Sequence, residues 1–233
     1  MDERCRLRGR CPIRIRIHGE SSVLEETEGS RKKNAEKETN MGKKRIIVGA
    51  SGASGMPILA ECLQIIRQAP QYESCLIMTK SAVLTLEQET SYGKEDMEDL
   101  ADYVFLPEQI GAGPASGSFK TAGMVIVPCS MKTAAGICSG YTDNLLLRAA
   151  DVTIKEQRPL VLAARETPLN AIHLRNLYEL SRIPGVRIVP PMLTFYHRPE
   201  SIGDMVHHIA AKLLEPFGIE AEGYRRWEGI SGE

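Results

Sequence analysis

Three glycines spaced three residues apart, Gly49, Gly52 and Gly55 in GASGASG, follow an apolar β-branched run and precede a helical stretch. A turn in that position can set backbone N–H groups and a helix N-terminus against a phosphate. The spacing is G-x-x-G-x-x-G, not the G-x-G-x-x-G of dinucleotide sites, and the second apolar run ends in Thr79-Lys80 where an acidic residue would bind a ribose 2′-hydroxyl. The pattern argues against NAD and leaves a mononucleotide such as FMN. The same glycines also suit a tight, closely packed turn with no ligand. Ser54 tips the reading toward a ligand, because a hydroxyl at the mouth of the turn can hydrogen-bond a flavin ring or relay a proton, although serine is also a favoured N-cap.

A second turn, Pro128-Cys129-Ser130-Met131-Lys132-Thr133, stands between another apolar run and another helix, so Ser130, Thr133 and nearby free amides form a second donor group. Arg165-Glu166 ends the run PLVLAAR, where charged side chains reach a ligand crevice and a guanidinium suits a phosphate. Arg148 and Lys155, seven residues apart, share a helical face. Surface charge explains any one of these cations; together they suggest a second, phosphate-bearing substrate. Cys129 has no histidine near it in sequence to activate it and reads as a buried structural thiol. The five histidines show no metal-ligand spacing, so no metal is expected; His207-His208 is assigned to a solvated helix face and Glu95–Asp99 (EDMED) to a loop.

The elements that must position these groups alternate. Strands are expected at RIIVGAS, SCLIMT, GMVIVPCS, PLVLAAR and VRIVPP, with helices over about 55–68, 80–89, after Met131, 170–182 and 201–217. This order predicts an α/β fold, flavodoxin-like or Rossmann-like, with three layers: a mainly parallel sheet and helices on both faces. Gly111–Lys120 is Gly/Ser-rich and is expected to be a loop, of the kind that holds ligands where it follows a strand's carboxyl end. Residues 1–40 are rich in Arg, Lys and Glu without apolar periodicity and read as an N-terminal extension, with a single FMN-binding domain over 41–233.

Composition sets outer bounds. A net charge of −1 argues against nucleic acid, which usually calls for a concentrated positive excess. The six cysteines include no CxxC pair, consistent with reduced cytoplasmic thiols, and no run approaches the roughly 18 apolar residues of a membrane span.

Read together, IIVGASGASG, ASGSF, VPCSMKTAAGI, LLLRAADVTIKEQRPLVLAARETPL, PPMLTFYHRPES and RRWEG resemble the UbiX flavin prenyltransferase family from Arg45 to Gly229, most closely the branch associated with phenolic-acid decarboxylases, whose members are sometimes described as the decarboxylase's small subunit. The resemblance implies transfer of a dimethylallyl group from dimethylallyl phosphate to N5 and C6 of reduced FMN, without a metal, to make prenylated FMN for a UbiD-type decarboxylase. It also implies a homo-oligomer, a dodecamer, with sites between subunits. FMN contacts fall on Gly52, Ala53, Ser54, Thr79, Ser130, Met131, Lys132, Thr133 and Arg148. Lys155, Tyr196 and Lys212, with Arg165 from a neighbouring subunit, fall on the prenyl phosphate; Ser54, Glu89 and Glu166 fall on the proton-handling positions, and Trp227 on an aromatic that closes the site. Lys212 stands where many relatives have arginine, which keeps charge but loses bidentate geometry. Two alternatives share the flavin. An FMN-dependent cysteine decarboxylase calls for a mid-chain histidine and an Asn-containing segment where this chain has Pro191–Tyr196; a non-catalytic FMN carrier within a decarboxylase complex has no need of the full cation set.

Overall fold

Strand β1 (Lys44–Ala50) is apolar along most of its length because it lies at the centre of a sheet covered on both faces. The computed structural model describes residues 42–229; the extension expected over residues 1–40 lies outside them. After β1 the order is α1 (Met56–Gln68), β2 (Tyr72–Met78), α2 (Lys80–Glu89), α3 (Lys94–Asp99), β3 (Tyr103–Phe105), β4 (Gly123–Cys129), α4 (Met131–Ser139), α5 (Leu145–Lys155), β5 (Leu160–Ala164), α6 (Ala171–Ser181), β6 (Val186–Ile188) and α7 (Ile202–Leu214).

All six strands run parallel in the order β3-β2-β1-β4-β5-β6. This is the doubly wound Rossmann order, whose ligand crevice lies where the winding reverses, here between β1 and β4. The three-layer α/β expectation is met. Alternate residues of each strand feed two cores: Ile46, Val48, Leu76 and Val125 pack with α1 and α7, while Ile47, Ile77, Met124 and Ile126 pack with α4, α5 and α6.

Two local expectations are corrected and a third is met. The EDMED segment is helix α3, not a loop: its N-terminal Glu95 and Asp96 suit the helix dipole, Asp96 Oδ2 accepts from the Gly93 N–H at 2.7 Å, and Met97 is buried. Segment 111–120 is a loop, as expected, with one 3₁₀ turn, Gly113–Ala115, and Arg158 holds its end, donating from its guanidinium to Gly117 O (2.8 Å) and Phe119 O (2.9 Å). The His207-His208 pair does not lie on a solvated face: His207 is only partly exposed and His208 is buried. His207 meets Glu61 of α1 at 2.7 Å, and His208 is buried against the C-terminal segment.

Candidate active site

At the switch point the turns that follow β1 and β4 are fastened to each other by Ser51. Its N–H donates to Pro128 O (3.1 Å), its Oγ accepts from the Ser130 N–H (2.9 Å), and its hydroxyl lies 3.1 Å from Pro128 O and 3.3 Å from Ser130 Oγ. Ser51 is 2% exposed. Sequence reasoning passed over it, although a hydroxyl inside the glycine turn was the available signal. The glycines have separate reasons. A Cβ on Gly49 would come within 2.4 Å of Leu146 Cδ1, one on Gly52 within 2.5 Å of Ser81 Cβ, and Gly55 has φ 129°, which favours glycine.

The cleft above these turns, about 520 Å³, brings together most of the expected flavin-contact residues: Gly52, Thr79, Ser130, Met131, Lys132 and Thr133 all line it. Two helices begin there. Thr79 caps α2, accepting from the Ala82 N–H at 3.2 Å, and Ser130 caps α4, accepting from the Thr133 N–H at 3.3 Å. The first amides of a helix have no backbone partner within it; Ser130 takes that of Thr133, which leaves the Met131 and Lys132 N–H groups as donors beside the Lys132 ammonium. Hydroxyls, helix N-termini and a cation suit a phosphate, and the volume lies within the range of small-molecule sites. FMN therefore fits the donor chemistry of this cleft. Ala53 is placed differently, with its N–H turned inward onto Ser51 O at 2.8 Å.

Beyond the first turn, Ser54, Glu89 and Arg165 line a second cleft, of about 570 Å³, whose wall includes Pro57, Ile58, Leu193 and Met205. Glu89 reaches back from the end of α2 to cap α1, its Oε2 accepting from the N–H groups of Gly55 (2.8 Å) and Met56 (2.9 Å). Burial pushes the Glu89 carboxyl up, but the Ser54 hydroxyl, these two amides and the Arg165 guanidinium outweigh it, so its pKa falls below the ordinary value. Glu89 is thus an anion that orients Ser54 and α1. Arg165 and Glu166 diverge beyond β5, Arg165 lining this apolar cleft and Glu166 the hydroxyl-lined one. Within one chain Arg165 shares this cleft with Ser54 and Glu89 and acts on the Glu89 carboxylate through its charge.

The remaining expected residues are not brought to either cleft within a single chain. Arg148 pairs with Asp151 at 2.7 Å and donates to Ala115 O at 3.3 Å. Lys155 pairs with Glu156 at the far end of α5, which with 11 residues extends about 16 Å from the cleft. Tyr196, Lys212 and Trp227 belong to a third group built on α7 and the C-terminal segment: Tyr196 OH lies 3.1 Å from His208 Nε2, the Tyr196 and Trp227 rings meet edge-on at 5.6 Å, and Lys212 pairs with Glu215 at 2.6 Å. The Glu215 hydrogen bond raises the Lys212 pKa against the opposing effect of burial. Cys129 is buried beside the second turn, and burial pushes its thiol up to about 12, the behaviour of a structural cysteine. Among the described residues, no group of three or more His, Cys, Asp or Glu could hold a metal ion.

A Rossmann-order sheet whose switch point carries two hydroxyl-capped helix N-termini defines a nucleotide-binding α/β protein, and the comparisons narrow it. The Flavoprotein family matches residues 34–214. A probable UbiX-like flavin prenyltransferase from Escherichia coli O157:H7 is 50% identical over 186 residues, covering 80% of this chain and 94% of that protein. The crystal structure of a dodecameric FMN-dependent UbiX-like decarboxylase from the same organism superposes with a TM-score of 0.77 at 50% identity, over 79% of this chain and all of that one. AnUbiX (PadA1), solved with FMN and dimethylallyl pyrophosphate, gives a TM-score of 0.78 at 42% identity, over 81% of this chain and all of that one. The chain belongs to the UbiX-like flavin prenyltransferases of the Flavoprotein family.

Proposed function

We propose that the protein is a flavin prenyltransferase that joins the dimethylallyl group of dimethylallyl phosphate to N5 and C6 of reduced FMN, releasing phosphate. The observation that carries this reading is the pair of adjoining clefts. One is rich in hydroxyls and helix N-termini, and the other is apolar and carries the Ser54–Glu89–Arg165 set. The first suits the flavin nucleotide; the second suits a short hydrocarbon whose departing phosphate meets a guanidinium. Fixed cations aimed at developing negative charge lower the barrier to breaking the C–O bond without a metal.

The roles of individual residues follow from their places. Gly52, Thr79 and Ser130–Thr133 hold FMN. Ser54, hydrogen-bonded to an ionised Glu89, relays to that carboxylate the proton released from flavin N5 on alkylation, while Glu166 lines the flavin cleft and handles a proton there. Arg148, Lys155, Tyr196 and Lys212 complete the phosphate and flavin contacts when neighbouring copies pack together, with Trp227 closing the site. A related E. coli protein is dodecameric, and a similar assembly accounts for a cation set that one chain leaves dispersed. The product serves a UbiD-type aromatic-acid decarboxylase in the cytoplasm; no helix among the described residues is long and apolar enough to cross a membrane.

The test is anaerobic incubation of the purified protein with reduced FMN and dimethylallyl phosphate, then mass spectrometry of the released flavin. A product heavier by one five-carbon unit is expected. Unmodified flavin from protein shown to bind FMN, with the diphosphate tried as well, would refute the transferase and favour a non-catalytic FMN carrier or a decarboxylase.

A further inference from the structure

Tyr196 is about half exposed, at 45%, yet its ring meets three aromatic neighbours: His197 at 5.7 Å, His208 at 5.6 Å and Trp227 at 5.6 Å, all edge-on. Of these, only His208 meets the phenol oxygen in a hydrogen bond, through Nε2 at 3.1 Å. His208 is itself fixed from several directions. It is 6% exposed on α7, stacks on His197 with centroids 4.2 Å apart and planes 3° from parallel, and packs against Tyr224 at 4.9 Å. A buried, stacked imidazole has one orientation, and the phenol bonded to it inherits that orientation.

We propose that His208 is a positioning residue for Tyr196, donating from Nε2–H to the phenol oxygen and so leaving the phenol's own proton free to bond the phosphate of the allylic donor. The proposal rests on the reading of Tyr196 as a donor-phosphate contact. A phenol carries a single proton. Were Nε2 the acceptor, that proton would be consumed within the protein and the hydroxyl would offer a phosphate only lone pairs. Lys212, whose raised pKa reflects its Glu215 bond and in smaller part Tyr196 and Tyr224, supplies the fixed positive charge on the same side of α7. Burial, and then the neighbouring His197, His207 and Lys212, hold the His208 pKa below its ordinary value, so the ring is a neutral one-proton donor rather than a competing cation.

The experiment uses the full-length protein loaded with oxidised FMN. Calorimetry gives the Kd of dimethylallyl phosphate, and steady-state turnover with reduced FMN gives KM and kcat separately. H208F keeps a ring of similar size and removes the donor. One hydrogen bond is worth about 1 kcal/mol, so a roughly 5-fold weakening of donor binding is expected, carried by KM with little change in kcat or FMN affinity. H208Q, whose amide donates from a similar reach, restores most of the loss. In a Y196F background, H208F has no further effect. Loss of donor affinity in Y196F but not in H208F would overturn the positioning role. So would an H208F loss that is as large in the Y196F background as in the wild type, because His208 would then act independently of the phenol. Y196F with unchanged donor affinity would instead remove the Tyr196 assignment and the proposal with it. Should H208F not fold, H208Q against H208N makes the same comparison, since the longer amide alone reaches the phenol.

Discussion

Glu89→Gln isolates the charge that holds the mouth of the site. The Glu89 carboxylate takes two amide hydrogen bonds, at 2.8 and 2.9 Å, at the N-terminus of the 13-residue helix α1, with the Ser54 hydroxyl and Arg165 beside it. Glutamine keeps an oxygen acceptor of the same reach and loses the charge. Hydrogen bonds to a charged group contribute about 1.5–3 kcal/mol against about 1 for a neutral one, and a carboxylate at a helix N-terminus gains ~0.3–1 kcal/mol from the dipole. Glu89 is only partly buried, so solvent screening favours the low end, a loss of about 1–2 kcal/mol. For a chain of this size each kcal/mol moves Tm by roughly 2–4 °C, which predicts a fall of about 2–8 °C at neutral pH. The pH dependence has a definite sign. The folded pKa is depressed, so the stabilisation is complete above the unfolded value of 4.5 and is lost as pH falls through the folded pKa beneath it. Thermal unfolding followed by circular dichroism, wild type against variant from neutral to acid pH, should show two curves that converge at the acid end. Equal Tm values at neutral pH, or a gap of constant size down to the acid end, would refute the capping role.

Gly52→Ala places a Cβ 2.5 Å from Ser81 Cβ and pushes the first turn off the start of α2. The overpacking cost of about 1–3 kcal/mol should appear as a roughly 5- to 150-fold weaker FMN Kd by flavin fluorescence; an unchanged Kd contradicts the close approach. Glu166→Gln should leave FMN bound and slow prenyl transfer by about 10²-fold or more, read in single-turnover kinetics, and unaltered rates would sink its proton-handling role. With the Cys75 and Cys129 thiols both pushed up to about 12 by burial, iodoacetamide at neutral pH should spare them and label the partly exposed Cys138, as mapped by peptide mass spectrometry. Labelling of Cys129 in the folded protein would show a reachable thiolate.

Much of the fold was legible because a parallel sheet covered on both faces makes its strands read as apolar runs, and the helix over 80–89 has the bounds expected. Strand β3 was not legible: three residues at the sheet edge, two of them exposed, leave no pattern to read. The EDMED helix was missed because charge density masked a single buried methionine, Met97.

The site divides along the same physical line. Local chemistry determined the glycine turn, the Ser130–Thr133 helix start and the charged pair beyond β5, because turn geometry and helix capping depend on residues close in the chain. Contacts across the sheet decided what those pieces do together. Ser51 joins two turns 77 residues apart, Glu89 reaches 34 residues back to cap α1, and Arg165 and Glu166 part into different clefts. Nor does any local pattern announce that His208 turns inward to meet Tyr196, since its neighbour His207 on the same helix turns to Glu61 instead. Residue types name the chemistry that is available; the packing of α1, α7 and the strand ends decides which side chains share a space.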